Sequence, residues 1–331
     1  MIVRASCYGC VPNKNRPEAV AGILSRAVPW DGGDVPPVVS WKSFSEQLEQ
    51  KPDIEADWWT GIDLEKHFTA SQSYRPNCAG FAKANASECA LLLQRKYRYS
   101  EQKVEKINPM VCWQLSKGGS VSGGQSIAEM ASAGNQYGNF LVSDVGEYDP
   151  AVVFNRTEKK ADDNALAHQD SICLYDGNDP ASAILLICRK GYSCFVGNSN
   201  AVAGVKIDEN GVRVAVLGGY WSHAGAFAGF KIVNGKLYVF WLNSHGNIYN
   251  VERGGIGITY VEDSAAGNPK VPVDCFDMVA SYDGTPAFGA WMDEQTLRRF
   301  MSSSFNDLCA IPYTEAPYDE TITPTLNPEA V

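Results

Sequence analysis

The sequence lacks the features that mark membrane-spanning, exported and nucleic-acid-binding proteins. No apolar run approaches the roughly 18 to 20 residues that cross a bilayer, and the first twenty residues lack the apolar centre of a signal peptide. The formal net charge is −10, and no basic patch interrupts the acidic surplus. An acidic chain repels phosphate backbones. We therefore expect synthesis in the cytoplasm, no membrane span and no nucleic-acid partner.

Signatures of several enzyme classes are also missing. Neither a P-loop nor a dinucleotide fingerprint occurs, and the segment GSVSG has valine where a serine-hydrolase elbow has its serine. Cys7-x-x-Cys10 has no second cysteine pair at zinc-ligand spacing, which favours incidental thiols over a metal site. Without an export signal, most of the ten cysteines are interpreted as small buried apolar residues. The sequence predicts neither a metal nor a cofactor.

The remaining composition is that of a globular protein with a helical half and a β half. The 331 residues are 45% hydrophobic and 20% charged. Residues 78–97 are Ala-rich with apolar side chains at helical spacing, and a second helix is predicted over 125–134, ended by Gly134. After residue 150 we expect short β-strands at AVVF, SICLY, SAILLIC, VRVAVL, AFAGFKI, LYVFWL and IGITY. Asn-Gly pairs at 210–211 and 234–235 predict hairpins. The order predicts an α+β fold.

Histidine is scarce, so any histidine-dependent mechanism must use one of only four side chains. His223 lies in a predicted strand, and Asn243 follows the strand that a hairpin pairs with it, so the two can be neighbours. Cys78 begins the predicted buried helix. A helix N-terminus favours an anion and lowers the pKa of a thiol placed there.

Four segments, in this order, resemble the papain-like cysteine peptidases: SQSYRPNCAGFAKA, GGSVSGGQSIAEMASAG, SHAGAFAGF and WLNSHG. The resemblance covers roughly residues 70 to 260. It implies Cys78 as nucleophile, His223 and Asn243 as its partners, Gln72 as an oxyanion donor six residues before the cysteine, and Gly123 and Gly124 along the substrate cleft. It also implies a two-lobed fold, with a central helix at the nucleophile and an antiparallel, β-barrel-like second lobe.

The domain division that follows has four parts. Residues 1–69 are an N-terminal arm, 70–150 the helical lobe, 151–310 the β lobe and 311–331 an extended C-terminal arm. The predicted activity is that of a cysteine endopeptidase: His223 takes the thiol proton, the thiolate attacks a carbonyl, and Asn243 orients the imidazole.

Departures from the family pattern keep alternatives open. Asn77 replaces the serine before the nucleophile, and His245 replaces the tryptophan of the Asn-Ser-Trp-Gly element, which predicts a more solvated, weaker Asn243–His223 interaction. A second hypothesis is a murein peptidase, which would cleave peptidoglycan peptides instead of a polypeptide. A third is a structural component of an assembly, for example a phage particle, held in a virion by its arms.

Overall fold

The structure of the protein is a computed structural model, and its description covers part of the chain. The described residues are Cys10, 23–25, Ala27, 37–69, Gln72, 75–98, 102–244, 260–261, 271–272, 284–302 and 307–317. His245, Gly246, Cys7 and most of the IGITY segment, for which expectations were stated above, lie outside them.

Helices dominate the first half of the described chain and strands the second. The helices are α1 (Trp41–Gln50), α2 (Leu64–His67), α3 (Cys78–Tyr97), α4 (Val111–Leu115), α5 (Ile127–Tyr137), α6 (Val142–Val145), α7 (Lys159–Leu166), α8 (Pro180–Arg189) and α9 (Glu294–Phe300). The strands are β1 (Asp170–Leu174), β2 (Ser193–Ile207), β3 (Arg213–Val233), β4 (Lys236–Leu242), β5 (Tyr260–Val261), β6 (Val271–Pro272), β7 (Gly289–Asp293) and β8 (Asp307–Thr314). The α+β prediction is confirmed. None of the described helices combines the length and the apolar character that a bilayer crossing requires.

Helix α3 is the central helix, and it has the predicted bounds. Its residues from Cys78 to Gln94 are buried on every side, more completely than a single apolar face would imply. Small residues allow this because neighbouring segments can approach the helix backbone closely. At Gly80 an added Cβ would lie 2.3 Å from the carbonyl oxygen of Pro109. The helix packs against strands β2, β3 and β8.

Six strands form one sheet in the order β1-β8-β2-β3-β4-β7. Every neighbouring pair in that order is antiparallel, and β3 makes one further, parallel contact with β7 at Val214 and Trp291. The sheet predicted to be barrel-like is not closed. Both Asn-Gly pairs lie in hairpin turns, and Asn234 and Gly235 have the positive φ values, 52° and 76°, that such a two-residue turn requires.

Two predicted strands are wrong. SAILLIC belongs to helix α8, which begins after Asp179, whose side chain accepts a hydrogen bond from the Ser182 N–H, with Pro180 in the first turn. A run of seven residues is too short for the period of its apolar side chains to distinguish a buried helix from a strand. AVVF lies between α6 and α7, outside any strand, and its two valines are exposed.

The helix predicted over 125–134 is confirmed in kind but not in its bounds. Ser126 caps α5 in a capping box with Glu129, so the helix begins at Ile127, two residues later than predicted. It passes through Gly134 and ends at Tyr137, followed by the C-cap residue Gly138, which has a φ of 74°. Helix interiors tolerate a glycine where close packing favours it, and here Gly134 faces the Lys83 side chain.

The terminal segments contribute to the core where they are described. Phe44, Trp58 and Phe68 are completely buried in it, and Ile311 to Thr314 end strand β8, which pairs with β1 and β2. The division into arms and lobes stays a prediction.

Candidate active site

Cys78 occupies the first position of helix α3 and is completely buried. Asn77 precedes it as the N-cap residue, but the Asn77 side chain makes no capping hydrogen bond. The backbone N–H groups of a first helical turn have no partners within the helix. The first turn of α3 therefore directs its backbone N–H groups and the positive end of the helix dipole toward the thiol.

His223 and Asn243 meet across the β3–β4 pair, as predicted from the hairpin. His223 lies within β3, Asn243 directly follows β4, and Nε2 of His223 is 2.7 Å from Oδ1 of Asn243. The amide oxygen only accepts hydrogen bonds, so Nε2 carries the hydrogen and donates it. Nδ1 then has the lone pair that can accept a proton.

The two side chains are shielded from water. His223 is 1% exposed and Asn243 0%. Burial lowers the pKa of His223 to about 4, although the Asn243 hydrogen bond opposes part of that shift. The imidazole is therefore neutral near neutral pH, which is the form that acts as a base.

Trp221 supplies the shielding, and the sequence reasoning missed it. Its ring centroid lies 4.6 Å from that of His223, and its indole N–H donates to Oδ1 of Asn198, the residue opposite His223 on β2. The prediction that the Asn243–His223 interaction is more solvated is thus wrong, because both side chains are buried. The sequence contains a signal for this contact, because Trp221 lies two residues before His223 and residues two apart on a strand point to the same face.

Gln72 is hydrogen-bonded to Ser244, the residue that follows Asn243. Its backbone N–H donates to the Ser244 carbonyl at 2.7 Å, and its side-chain oxygen accepts from the Ser244 hydroxyl. Its Nε2 donates one hydrogen to the Arg75 carbonyl at 2.9 Å. The amide has a second hydrogen. Gln72 is thus held beside Ser244, and no described residue accepts its second Nε2 hydrogen.

Gly123 and Gly124 lie just before helix α5, where Gly123 has a φ of 71° that favours glycine. The Gly123 carbonyl accepts a hydrogen bond of 2.5 Å from Nζ of Lys117, which fixes the loop. Gln125 follows them and forms a parallel bridge with Cys10. Their predicted role along a cleft stays a prediction.

Cys10 lies between the two sides of this site. Its N–H donates to the Ser222 carbonyl at 3.3 Å, and the Ser222 hydroxyl donates to the Cys10 carbonyl. A residue with backbone contacts to Gln125 on one side and to Ser222 on the other lies where an extended chain would cross between them. Sequence reasoning treated Cys10 as an incidental thiol, because nothing local to Cys7-x-x-Cys10 indicates this position.

The structure thus brings His223, Asn243 and Gln72 together through direct contacts and Ser244. Cys78 begins helix α3, which packs on β3, the strand that carries His223. Among the residues with a described position, no three His, Cys, Asp or Glu side chains come together as a metal site would require.

Comparison with known proteins gives structural neighbours only. No protein-family model matches the sequence. No curated protein matches it either. The chain is similar to the crystal structure of xylellain, a cysteine protease from Xylella fastidiosa, with 12% identity over 95% of this chain and 98% of that one and a TM-score of 0.47.

Two further solved structures are similar over shorter parts of the chain. The proCathepsin B S9 of Trypanosoma congolense is 14% identical over 90% of this chain and 88% of that one, with a TM-score of 0.45. The bromelain protease of Ananas comosus, solved with the E64 inhibitor, is 14% identical over 79% of this chain and 98% of that one, with a TM-score of 0.38. These neighbours are papain-like cysteine proteases, the family that the sequence motifs resemble.

Proposed function

We propose that the protein is a papain-like cysteine peptidase that hydrolyses peptide bonds through Cys78, His223 and Asn243. The observation that carries the proposal is the buried hydrogen bond of 2.7 Å between Nε2 of His223 and Oδ1 of Asn243. It fixes the neutral imidazole in the tautomer whose Nδ1 can accept a proton, as the third member of a catalytic triad does.

In the first half of the proposed reaction, Nδ1 of His223 takes the proton of the Cys78 thiol. The thiolate attacks the carbonyl carbon of the scissile bond and forms a tetrahedral intermediate. The imidazolium returns its proton to the leaving amine, and an acyl-enzyme remains on Cys78. In the second half, His223 takes a proton from water, the hydroxide attacks the thioester, and the carboxylic acid leaves.

The oxyanion of each tetrahedral intermediate would accept two hydrogen bonds. One donor is the Cys78 backbone N–H in the uncapped first turn of α3. The other is the second Nε2 hydrogen of Gln72, whose side chain is already oriented by Arg75 and Ser244. Donors fixed in advance stabilise the transition state by a few kcal/mol each because no reorganisation accompanies the reaction.

The substrate class in this proposal is an extended polypeptide. Cys10 makes backbone contacts with both Gln125 and Ser222, so a chain segment of ordinary backbone can occupy that space and find hydrogen-bonding partners there. The roles as an assembly component and as a murein peptidase stay predictions, since no contact among the described residues bears on either.

The test is hydrolysis of a mixture of unstructured peptides in reducing buffer, followed by mass spectrometry. Cys78→Ala and His223→Ala should each lower kcat/KM by at least about 10³-fold, and Gln72→Ala should lower kcat by about 10²- to 10³-fold. Cys112→Ala, at another buried cysteine, is the matched control and should keep the activity. Hydrolysis that survives Cys78→Ala would contradict the proposal.

A further inference from the structure

Asn198 is a polar side chain buried beside the candidate base, and the proposed reaction gives it no role. It is 2% exposed, lies on β2 and is the backbone partner of His223 on β3. Its Oδ1 accepts a hydrogen bond of 3.0 Å from the Trp221 indole N–H, and its Nδ2 donates to the carbonyls of Asn200 at 3.2 Å and Phe300 at 3.1 Å. An indole N–H only donates and a carbonyl only accepts, so this orientation of the amide satisfies all three groups.

The pairing of β2 with β3 is irregular at this point. Asn198 pairs with His223, and Asn200 pairs with Tyr220. One residue of β2 therefore lies opposite two residues of β3, and Trp221 is one of those two. A β-bulge of this kind redirects side chains and interrupts the ladder of backbone hydrogen bonds. The direction of the indole therefore depends on side-chain contacts, among which the hydrogen bond to Asn198 is the directional one.

The Asn198 amide is itself fixed by the end of helix α9. The last carbonyls of a helix have no partners within it, and Asn198 and Asn200 both donate to the carbonyl of Phe300, the last residue of α9, at 3.1 Å. The ring of Phe300 packs on Trp241, with centroids 5.7 Å apart, and Trp241 packs on Trp221 at 5.8 Å. The residue that accepts from the indole is thus attached to a helix whose last side chain belongs to the same aromatic cluster.

We propose that Asn198 is a positioning residue for the base, which acts through Trp221 by holding the indole against the His223 ring and thereby keeping water from the His223–Asn243 hydrogen bond. The ring centroids of Trp221 and His223 are 4.6 Å apart, and a hydrogen bond strengthens where the local dielectric is low. None of the three hydrogen bonds of the Asn198 side chain described above goes to the imidazole, so its effect on the base passes through the indole. The inference rests on the proposed function in taking His223 as that base.

The experiment compares Asn198→Ala with Asn200→Ala in the full-length protein. Both variants lose hydrogen bonds to the end of α9, since Asn200 donates to the carbonyls of Arg299 and Phe300, but only Asn198→Ala removes the acceptor of the indole. A buried donor that loses its acceptor is unfavourable unless water replaces it, so we expect water to enter beside His223 in Asn198→Ala alone.

The entry of water is measured by NMR as the exchange rate of the His223 Nε2 hydrogen, whose signal is assigned by its absence in His223→Gln. Exchange should be faster than in the wild type in Asn198→Ala and unchanged in Asn200→Ala. Trp221→Phe keeps a ring but removes the same hydrogen bond from the other side, so it should also accelerate exchange and serves as the test if Asn198→Ala does not fold. Unchanged exchange in Asn198→Ala or in Trp221→Phe, or the same acceleration in Asn200→Ala, would overturn the proposal.

A parallel activity measurement keeps this failure apart from failure of the proposed function. Asn198→Ala should lower kcat by up to about 10²-fold, because the base is misplaced, and should leave KM unchanged. Added to Trp221→Phe, it should cause little further loss, whereas independent effects would multiply. A full further loss in that background would contradict action through Trp221. Accelerated exchange in Asn198→Ala, when the wild-type protein hydrolyses no peptide, would support the positioning role and contradict the peptidase.

Discussion

At the scale of single residues, the burial of His223 ties the stability of the protein to pH. In the folded protein, desolvation by burial lowers the pKa of the His223 imidazole to about 4, whereas an exposed histidine has a pKa near 6.5. Between about pH 6.5 and pH 4, His223 is protonated in the unfolded chain but not in the folded protein. The free energy of unfolding therefore falls as pH falls toward 4.

His223→Gln removes this titration and is expected to flatten the pH dependence. The wild-type protein should lose about 2 kcal/mol more free energy of unfolding than the variant between about pH 7 and pH 5. Denaturant unfolding followed by tryptophan fluorescence at both pH values measures the difference. Equal losses in the two proteins would mean that His223 titrates normally in the folded state.

Trp221 sets the environment of the same residue. Its ring packs on His223, and a low local dielectric strengthens the hydrogen bond to Asn243. Trp221→Ala should admit water, raise the pKa of His223 toward 6.5 and lower kcat/KM. The pKa is measured from the imidazole NMR signals. Trp41→Ala, which removes an aromatic ring packed on Tyr175 instead, is the control and should leave the His223 pKa unchanged.

At the scale of secondary structure elements, close packing on α3 holds Cys78 in place. A Cβ on Gly80 would lie 2.3 Å from the Pro109 carbonyl oxygen and 3.1 Å from Cβ of Trp113, and neither atom can move freely. Gly80→Ala should therefore lower the free energy of unfolding by about 1 to 3 kcal/mol, although alanine favours a helix by about 1 kcal/mol.

Gly134→Ala in α5 is the comparison for this change. There the nearest atoms belong to the Lys83 side chain, at 2.5 Å from the added Cβ to Cε, and a side-chain end can shift more easily than backbone. Thermal unfolding of both variants should show the larger loss for Gly80→Ala. A larger loss for Gly134→Ala would mean that the backbone at Pro109 can move away from α3 to accommodate the added methyl group.

The elements that sequence predicted correctly are those with a local signal. Residues 78–97 are long, Ala-rich and free of proline, and both Asn-Gly pairs determine their own turns. The prediction for SAILLIC was wrong because a run of six apolar residues is compatible with either a strand or a helix, and the residues that decide, Asp179 and Pro180, come before the run. Strand β8 was missed because its partners β1 and β2 are more than a hundred residues away.

At the scale of the whole molecule, a buried polar network joins the central helix to the sheet. Nζ of Lys83 on α3 lies 2.8 Å from a carboxylate oxygen of Asp170 on β1, and both side chains are almost completely buried. Asp170 also accepts hydrogen bonds from Ser87, Asn139 and Thr314, which come from α3, the segment after α5 and β8. The Asp170 carboxylate has all of these hydrogen bonds only when β1, α3, the segment after α5 and β8 are assembled.

Lys83→Met should destabilise the protein by about 3 to 5 kcal/mol, because it leaves the Asp170 charge buried without its cation. Lys83→Met combined with Asp170→Asn should recover part of the loss, since the second change removes the stranded charge. Chemical denaturation of the wild type, both single variants and the double variant gives the coupling free energy. Strictly additive losses would contradict an ion pair of this kind.

The candidate site was predictable where residue order carries the information and not where tertiary contacts do. The proximity of His223 and Asn243 followed from one hairpin, whereas Gln72 was implied by the resemblance to the papain-like peptidases. Trp221 could not be placed from residue order alone, because its packing on His223 depends on the twist and register of strand β3. Cys10 could not be placed at all, because its contacts to Gln125 and Ser222 span over a hundred residues.

The central claim is that Cys78 is the activated thiol of a peptidase. The most direct measurement is labelling with a peptidyl epoxide in dithiothreitol, followed by peptide mapping, in the wild-type protein and in Cys10→Ala. The account predicts one labelled cysteine, Cys78, at the same rate in the control variant Cys10→Ala, and no labelling after His223→Ala. Labelling of another cysteine, or of Cys78 at an unchanged rate without His223, would contradict it.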